Sequence, residues 1–291
     1  MNLEAEHLNK LIAFQKNELT EYHIYQRLAR MVPNATNQEI LKKIAAEELH
    51  HYQVYHKYTQ KEVKANRFKI FFFSWCARLF GLTFSLKLME MGEKEAKENY
   101  QELSNRIPEI AQIISDEQEH EHKLLGLLEE ESLNYVSSIV LGLNDALVEL
   151  TGTLAGLTFA LQNNRLTALS GLITGIAASF SMGASEYLSN KAGDGRPAEA
   201  FKSALYTWVA YLITVFALIL PYLLSTNYSL SLVLTLTIGI VIILVFNYYI
   251  AVAKDLPFWS RFLEMTLISL GVAGLSFIIG LILRLFLQVE I

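Results

Sequence analysis

The chain has 291 residues, 52% hydrophobic and 18% charged, with a net charge of −5 that gives no sign of a nucleic-acid partner. Residues 1–135 hold 21 acidic and 17 basic side chains and all seven histidines, whereas residues 136–291 hold 8 and 7 and no histidine. A single cysteine, Cys76, excludes an internal disulfide and any CxxC-type zinc or iron site.

The division predicts an all-α chain of two domains, a charged one over 1–134 and an apolar one over 135–291. The first residues, MNLEAEHLNKLIAFQKNEL, are charged and lack an apolar core, so no secretory signal is expected and the charged half should face the cytosol. No glycine precedes Gly81, and Pro33 is the sole proline before it, which suits long helices. A first helix is expected from about Glu4 to Met31, with Leu11, Phe14, Glu18, Glu21, Tyr25 and Leu28 along one seam. Pro33 ends it, and Thr36 with Glu39 offers a capping box for the second. There Leu41, Ile44, Glu48, His51 and Tyr55 share a stripe.

The crossover over 67–85 is aromatic, with Phe68, Phe71, Phe72, Phe73, Trp75, Phe80 and Phe84 interrupted by Arg67, Lys69 and Arg78. It reads as an amphipathic segment at a bilayer surface, with packing on the outside of its own bundle as the alternative. The third helix carries Leu86, Met89, Glu93, Ala96, Tyr100 and Leu103 on one seam. Pro108 opens a fourth, with Ile110, Ile113, Glu117, His120, Leu124 and Leu127. The pairs Glu47/His50 and Glu119/His122 fall off these seams and read as solvated; His7, His23 and His56 read as surface residues.

Helices one and three each carry Glu-x6-Tyr, and helices two and four each carry ExxH, an internal two-fold repeat of a helical hairpin. Carboxylates and imidazoles in a bundle core suit two iron or manganese ions, because oxygen donors hold either oxidation state of iron. One Glu from each of two helices and ExxH from the other two is the donor set of di-iron carboxylate bundles. On those motifs residues 4–133 resemble the ferritin-like, rubrerythrin-type di-iron domain. The resemblance implies a four-helix bundle with Glu18, Glu48, His51, Glu93, Glu117 and His120 as ligands, and Glu21 and Glu121 as additional carboxylates. No cysteine pair follows, so the rubredoxin-type iron site of rubrerythrins has no counterpart.

Five apolar runs follow, about Val136–Leu161, Thr167–Leu188, Ala204–Leu224, Leu230–Ala253 and Phe262–Leu287, each near the ~20 residues that cross a bilayer. With the charged half inside, the connections after runs two and four hold Lys191, Arg196, Lys202, Lys254 and Arg261. The outer side holds Arg165 and Arg284, in keeping with the positive-inside rule, and the C-terminus lies outside. Run one, LGLNDALVELTGTLAGL, places Asn144, Asp145 and Glu149 within apolar sequence. A carboxylate there costs roughly 2.5–3.5 kcal/mol unless protonated, paired or metal-bound. Asp145 and Glu149 share a helix face, continued by Gly152 and Gly156, which admit a close neighbour. In run two, Met182 and Glu186 share a face; at ~1.5 Å per residue Asp145 lies ~13 Å and Met182 ~10 Å from their inner ends, so the two meet at similar depth. A thioether beside carboxylates suits Fe²⁺ better than Mg²⁺ or Ca²⁺.

LGLNDALVELTGTLAGL and SMGASEYLSNKAG resemble spans one and two of the vacuolar iron transporter family. That family has five spans, works as a homodimer and moves Fe²⁺ or Mn²⁺ out of the cytosol against protons. The resemblance matches its ion-path aspartate and methionine to Asp145 and Met182; Glu149 and Glu186 join them from helix geometry. The connection 189–203 is too short for the cytosolic metal-gathering domain of eukaryotic members. The whole chain resembles erythrin–vacuolar iron transporter fusions, which implies a multi-pass protein whose bundle holds iron or manganese and captures, senses or oxidises iron; no eukaryotic sorting signal is apparent, so a prokaryotic plasma membrane is expected. A membrane-anchored di-iron oxidase or peroxidase is the second reading, and paired acids inside run one argue against it, since an anchor needs none.

Overall fold

The computed structural model describes residues 5–92, 107–126, 135–193, 196–254 and 256–287, and every regular element among them is helical. The chain divides into two compact units, Met1–Glu130 and Glu131–Ile291.

The first unit contains α1 (Ala5–Ala29), α2 (Ala35–Thr59), α3 (Arg67–Phe80), α4 over 82–92, and α5 (Pro108–Gly126). Leu11 and Phe14 of α1 pack with Val54 and Tyr55 of α2, whereas Ile24 and Leu28 pack with Leu41 and Ile44. The two helices are therefore antiparallel, with an apolar layer at each end. Ile107, Ile110 and Ile113 complete one layer, and Leu86 and Met89 of α4 the other. Between the layers the same helical stripes present Glu18, Glu48, His51 and His120, all buried. Glu93, Tyr100 and the remainder of the third seam lie outside the described residues.

Helix starts follow side-chain chemistry more than the expected motif. Asn34, rather than a Thr36–Glu39 box, caps α2: its side chain accepts the Thr36 N–H at 2.8 Å and the Asn37 N–H at 3.3 Å, so Thr36 is already inside the first turn. Asn66 and Asn163 cap α3 and the helix after residue 163 in the same way. The connection into α3 is fixed to α1, because Gln15 donates to the Lys61 carbonyl (2.9 Å) and the Asn66 N–H donates to Thr20 (2.9 Å). His7, read above as a surface residue, is buried, one and two turns before Leu11 and Phe14 on the inner face of α1. His56 is half-buried and shares a hydrogen bond with Gln15, while His23 and His50 are exposed.

The second unit consists of α6 (Val136–Leu161), α7 (Asn164–Ala192), α8 (Pro197–Leu224), α9 (Tyr228–Lys254) and α10 (Phe258–Leu287). All five are long and apolar enough to cross a membrane. The helices overrun the apolar runs: α8 starts at Pro197 rather than Ala204, where a proline without N–H sits at a position that needs none. Helix α6 packs on each of the other four. Its Ala146, Leu147, Leu150 and Leu154 meet Tyr211, Val215, Leu218 and Ile219 of α8 in the core. Hydroxyl pairs lock the helices where no water competes: Thr158 with Tyr222 (2.5 Å), and Thr151 with Ser269 (3.1 Å).

Glycines set how closely these helices approach. A methyl group on Gly142 would enter the Thr207 backbone carbonyl, and one on Gly156 would lie 3.0 Å from the Ser276 carbonyl oxygen. The small-residue face of α6 thus receives α10, whose Gly280 in turn lies against the Gly156 carbonyl. Gly274 has open space around its Cα. Gly142→Ala is expected to destabilise the membrane unit by roughly 1–3 kcal/mol, whereas Gly274→Ala should be neutral or stabilising. Thermal unfolding of the two variants in one detergent checks the contrast.

Candidate metal centre and the acidic face of the first span

Glu18 of α1, Glu48 and His51 of α2 and Glu117 of α5 each turn one donor atom to a common point, all within 4.8 Å of one another. His51 Nδ1 lies 3.4 Å from Glu18, 3.6 Å from Glu48 and 3.4 Å from Glu117. The other oxygen of Glu48 lies 3.2 Å from His120 Nδ1, so its carboxylate directs one oxygen to each imidazole. The two rings are stacked with centroids 5.9 Å apart.

The electrostatics are those of a site with more charge than the protein alone satisfies. Burial pushes Glu18 well above the usual carboxylate range, and burial together with the Glu48 and Glu117 charges does the same to Glu21. Burial also raises Glu117, with Glu48 adding to it. Against its own burial, Glu48 is held down to about 2 by His120 and His51. Burial likewise disfavours the imidazolium form, yet Glu117, Glu18 and Glu48 hold His51 above its ordinary range, and Glu48 does so for His120. Even so, one oxygen each of Glu18 and Glu48, and Nδ1 of both His51 and His120, are buried without a hydrogen bond. Buried polar atoms are rarely left that way. Four N and O donors that face one another at ion-pair distance without a hydrogen bond fit a cation, whose coordination would satisfy them at once.

Two residues not read as part of the site complete its orientation. His120 Nε2 is 2.6 Å from Glu47, and His51 Nε2 is 3.3 Å from Asp116, which also accepts from Gln112 at 2.8 Å. Glu47 is thus no solvated residue: one position before Glu48, it is carried far enough round α2 to reach the far side of His120. The two contacts are reciprocal, since the acid preceding each ExxH holds the histidine of the other. A carboxylate on Nε2 fixes the ring and leaves Nδ1 for the interior. The sequence signal was present as an acid directly before each motif, Glu47-Glu48 and Asp116-Glu117.

Glu21 joins Glu18 and Glu117 in lining a cavity of about 100 Å³ beside the cluster, walled by Ile24, Phe73 and Met89. Gly92, the last described residue of α4, lies at its rim. Glu93, expected as a ligand, is outside the described residues, as is the side chain of Glu121.

In the second unit, the buried Tyr211 of α8 donates to Glu149 at 2.6 Å. Asp145, one turn earlier on α6, is half-buried, and Asn144 Oδ1 is buried without a hydrogen bond. Glu186 near the end of α7 accepts from Ser138 of α6 (2.8 Å) and Asn190 (3.0 Å). Met182 is half-buried and packs against the apolar core. Glu149 and Glu186 are legible from helix geometry, whereas Tyr211 and Ser138 are not, because their partners are 62 and 48 residues away along the chain.

A family model described as VIT1, VIT family, matches residues 136–195, which take in α6 and α7. No curated protein matches the chain. The match and the five apolar helices support a membrane domain of vacuolar iron transporter type, and with it metal-ion transport across a membrane.

Because His51 and His120 are held above their ordinary range, metal binding at the cluster has to displace protons. Adding Mn²⁺ to weakly buffered protein near neutral pH should acidify the solution, and affinity should fall as pH is lowered; isothermal titration in buffers of different ionisation enthalpy measures both. Tyr211→Phe removes the donor to Glu149 and should cost roughly 1–3 kcal/mol of stability, read as a lowered Tm in detergent.

Proposed function

We propose that the membrane half exports Fe²⁺, with Mn²⁺ as a second cargo, from the cytosol in exchange for protons, and that the charged half is a rubrerythrin-type four-helix bundle holding two iron or manganese ions. The observation that carries the transport reading is the placement of Asp145 and Glu149 on α6, the helix that packs on every other span. A purely anchoring segment has no use for carboxylates there. Metal and proton compete for the same oxygens, so protonation of Asp145 and Glu149 from the far side releases the cation, while Tyr211 holds Glu149 in place. Met182 supplies a soft donor near Asp145, and Glu186, tied to Ser138 and Asn190, marks the cytosolic entrance.

In this reading the bundle ligands are Glu18, Glu48, His51, Glu93, Glu117 and His120, with Glu21 and Glu121 as further carboxylates. The buried donors of the cluster that lack a hydrogen bond support it, and Glu48 is shared between its two halves. Bound iron would supply redox chemistry toward O₂ or peroxide; the chain's own contribution is to hold the donors rigid through Glu47 and Asp116. The assembly is a homodimer in a prokaryotic plasma membrane, with the charged half in the cytosol and the C-terminus outside. Lys191, Arg196, Lys202, Lys254 and Arg261 in the connections support that orientation.

The second reading, a membrane-anchored di-iron oxidase or peroxidase, draws on the cavity of about 100 Å³ beside Glu18, Glu21 and Glu117, which has room for a small oxidant. Fe²⁺ uptake by proteoliposomes under a pH gradient, with lumenal pH read in parallel, separates the two. Export predicts metal flux with opposing proton movement, lost at least tenfold in Asp145→Asn while metal content of the bundle is retained. Undiminished flux in Asp145→Asn refutes that residue's role. Oxidant-dependent Fe²⁺ turnover lost in Glu48→Ala but kept in Asp145→Asn, without flux, would favour the anchored enzyme.

A further inference from the structure

Helix α3 turns the wrong face outward for a helix bathed in water. Ile70, Phe73 and Ala77 pack on the core formed by α1, α2 and α4, and Ser74 and Cys76 are buried. Phe68, Phe71, Phe72, Trp75 and Leu79 recur at three- and four-residue intervals and form an exposed stripe, with Phe68 74% and Leu79 58% exposed. A contiguous apolar stripe of that kind marks an interaction surface.

Phe68, Phe71 and Trp75 of the stripe also line a groove of about 1480 Å³ between α1 and α3. Lys16 and Arg27 line it from α1, Arg30 from the turn just after α1, Lys64 from the connection, and Arg67 and Arg78 from α3; among the described residues no acidic side chain lines it. None of these six cations makes an ion pair among the described residues. Yet residues 1–135 carry more acidic than basic side chains, 21 against 17. Six cations are thus gathered on a face that also exposes aromatic rings. The groove is held open by fixed backbone, because Gln15 and Thr20 of α1 bond to the connection that carries Lys64 and Asn66.

We propose that this groove binds the headgroups of anionic phospholipids at a bilayer surface, with Phe68, Phe71, Phe72, Trp75 and Leu79 entering the boundary between headgroups and acyl chains. The two halves of the surface match the two halves of such a lipid. Guanidinium forks pair with phosphodiester oxygens, and aromatic rings favour the interfacial depth. A second copy of this face would set six cations against six, so self-association through it is opposed by like charge. The five apolar helices of the same chain keep a bilayer tethered at high effective concentration, so even weak headgroup contacts suffice to seat the helix. The inference goes beyond the transport reading and does not depend on which metal is moved.

The test uses the full chain in nanodiscs of phosphatidylcholine, alone or with about one quarter phosphatidylglycerol. In a Trp208→Phe, Trp259→Phe background, Trp75 is the sole tryptophan. Its emission should shift to the blue and be quenched by lipids brominated on the acyl chain in anionic discs, and several-fold less in neutral ones. Replacing Arg27, Arg30, Arg67 and Arg78 by Gln should return it to the neutral-disc value, since each cation near an anionic surface is worth about five-fold in association. In the unmodified chain, amide hydrogen exchange over 67–80 should be slower in anionic than in neutral discs. Equal exchange, with Trp75 equally open to aqueous iodide in both lipids, overturns the proposal. Shielding of Trp75 that appears only with a second copy per disc or with a soluble polyanion, and without quenching by brominated lipid, overturns it as well.

Discussion

Glu48 is buried with each carboxylate oxygen directed at a different imidazole, and the first unit is arranged around that contact. A buried carboxylate is costly unless cations and donors surround it. His51 and His120 provide the compensation from two helices, α2 and α5. Both imidazoles must in turn be aimed. Glu47 and Asp116 do this from outside the cluster, each reaching across to the histidine of the opposite motif. The result is a network in which each imidazole is held at Nε2 by an outer acid while its Nδ1 faces the inner carboxylates. Rigidity of that kind lets a donor set select a metal instead of collapsing onto itself.

The apolar layers above and below the cluster make the circuit possible. Leu11, Phe14, Val54 and Tyr55 on one side, and Ile24, Leu28, Leu41 and Ile44 on the other, exclude water and raise the energetic stakes of every polar contact between them. The same helical stripe that buries leucine and isoleucine at the ends buries glutamate and histidine in the middle. Structure and chemistry therefore share one register, and a helix shifted by a single residue would lose both.

The membrane unit meets the same constraint in a harsher solvent. Glu149 receives a hydroxyl from Tyr211, and Glu186 one from Ser138, so neither acid faces hydrocarbon without a donor. Close approach does the rest. Gly142 lets α8 bring Thr207 to the α6 backbone, where the Thr207 hydroxyl donates to the Ser138 carbonyl at 3.0 Å; Gly156 and Gly280 do the same for α10. Small residues act here as spacers that set distances between helices, which hydrophobicity alone cannot do between apolar surfaces in lipid.

Local periodicity was enough to predict helices in both halves, five spans, the position of α6 and the seam residues Glu18, Glu48, His51, Glu117 and His120, because each of these is a property of one helix and its 3.6-residue repeat. It also marked 67–85 as unusual, and α3 does expose Phe68, Phe71, Phe72 and Trp75. What periodicity could not decide is which partner a residue meets. Glu47 and Asp116 lie off the seams of their own helices and matter only because α2 and α5 pack against each other. Tyr211 looks like any aromatic residue of an apolar span until α8 is laid beside α6. The burial of His7 leaves no local mark, because a lone histidine near a helix start looks the same whether or not another helix covers it, and the Asn34 cap lies two residues before a Thr-x-x-Glu pattern that suggests a different start. A sequence states which residues share a face. The identity of the opposing face, and so the pairing of charges across it, belongs to packing between segments far apart in the chain.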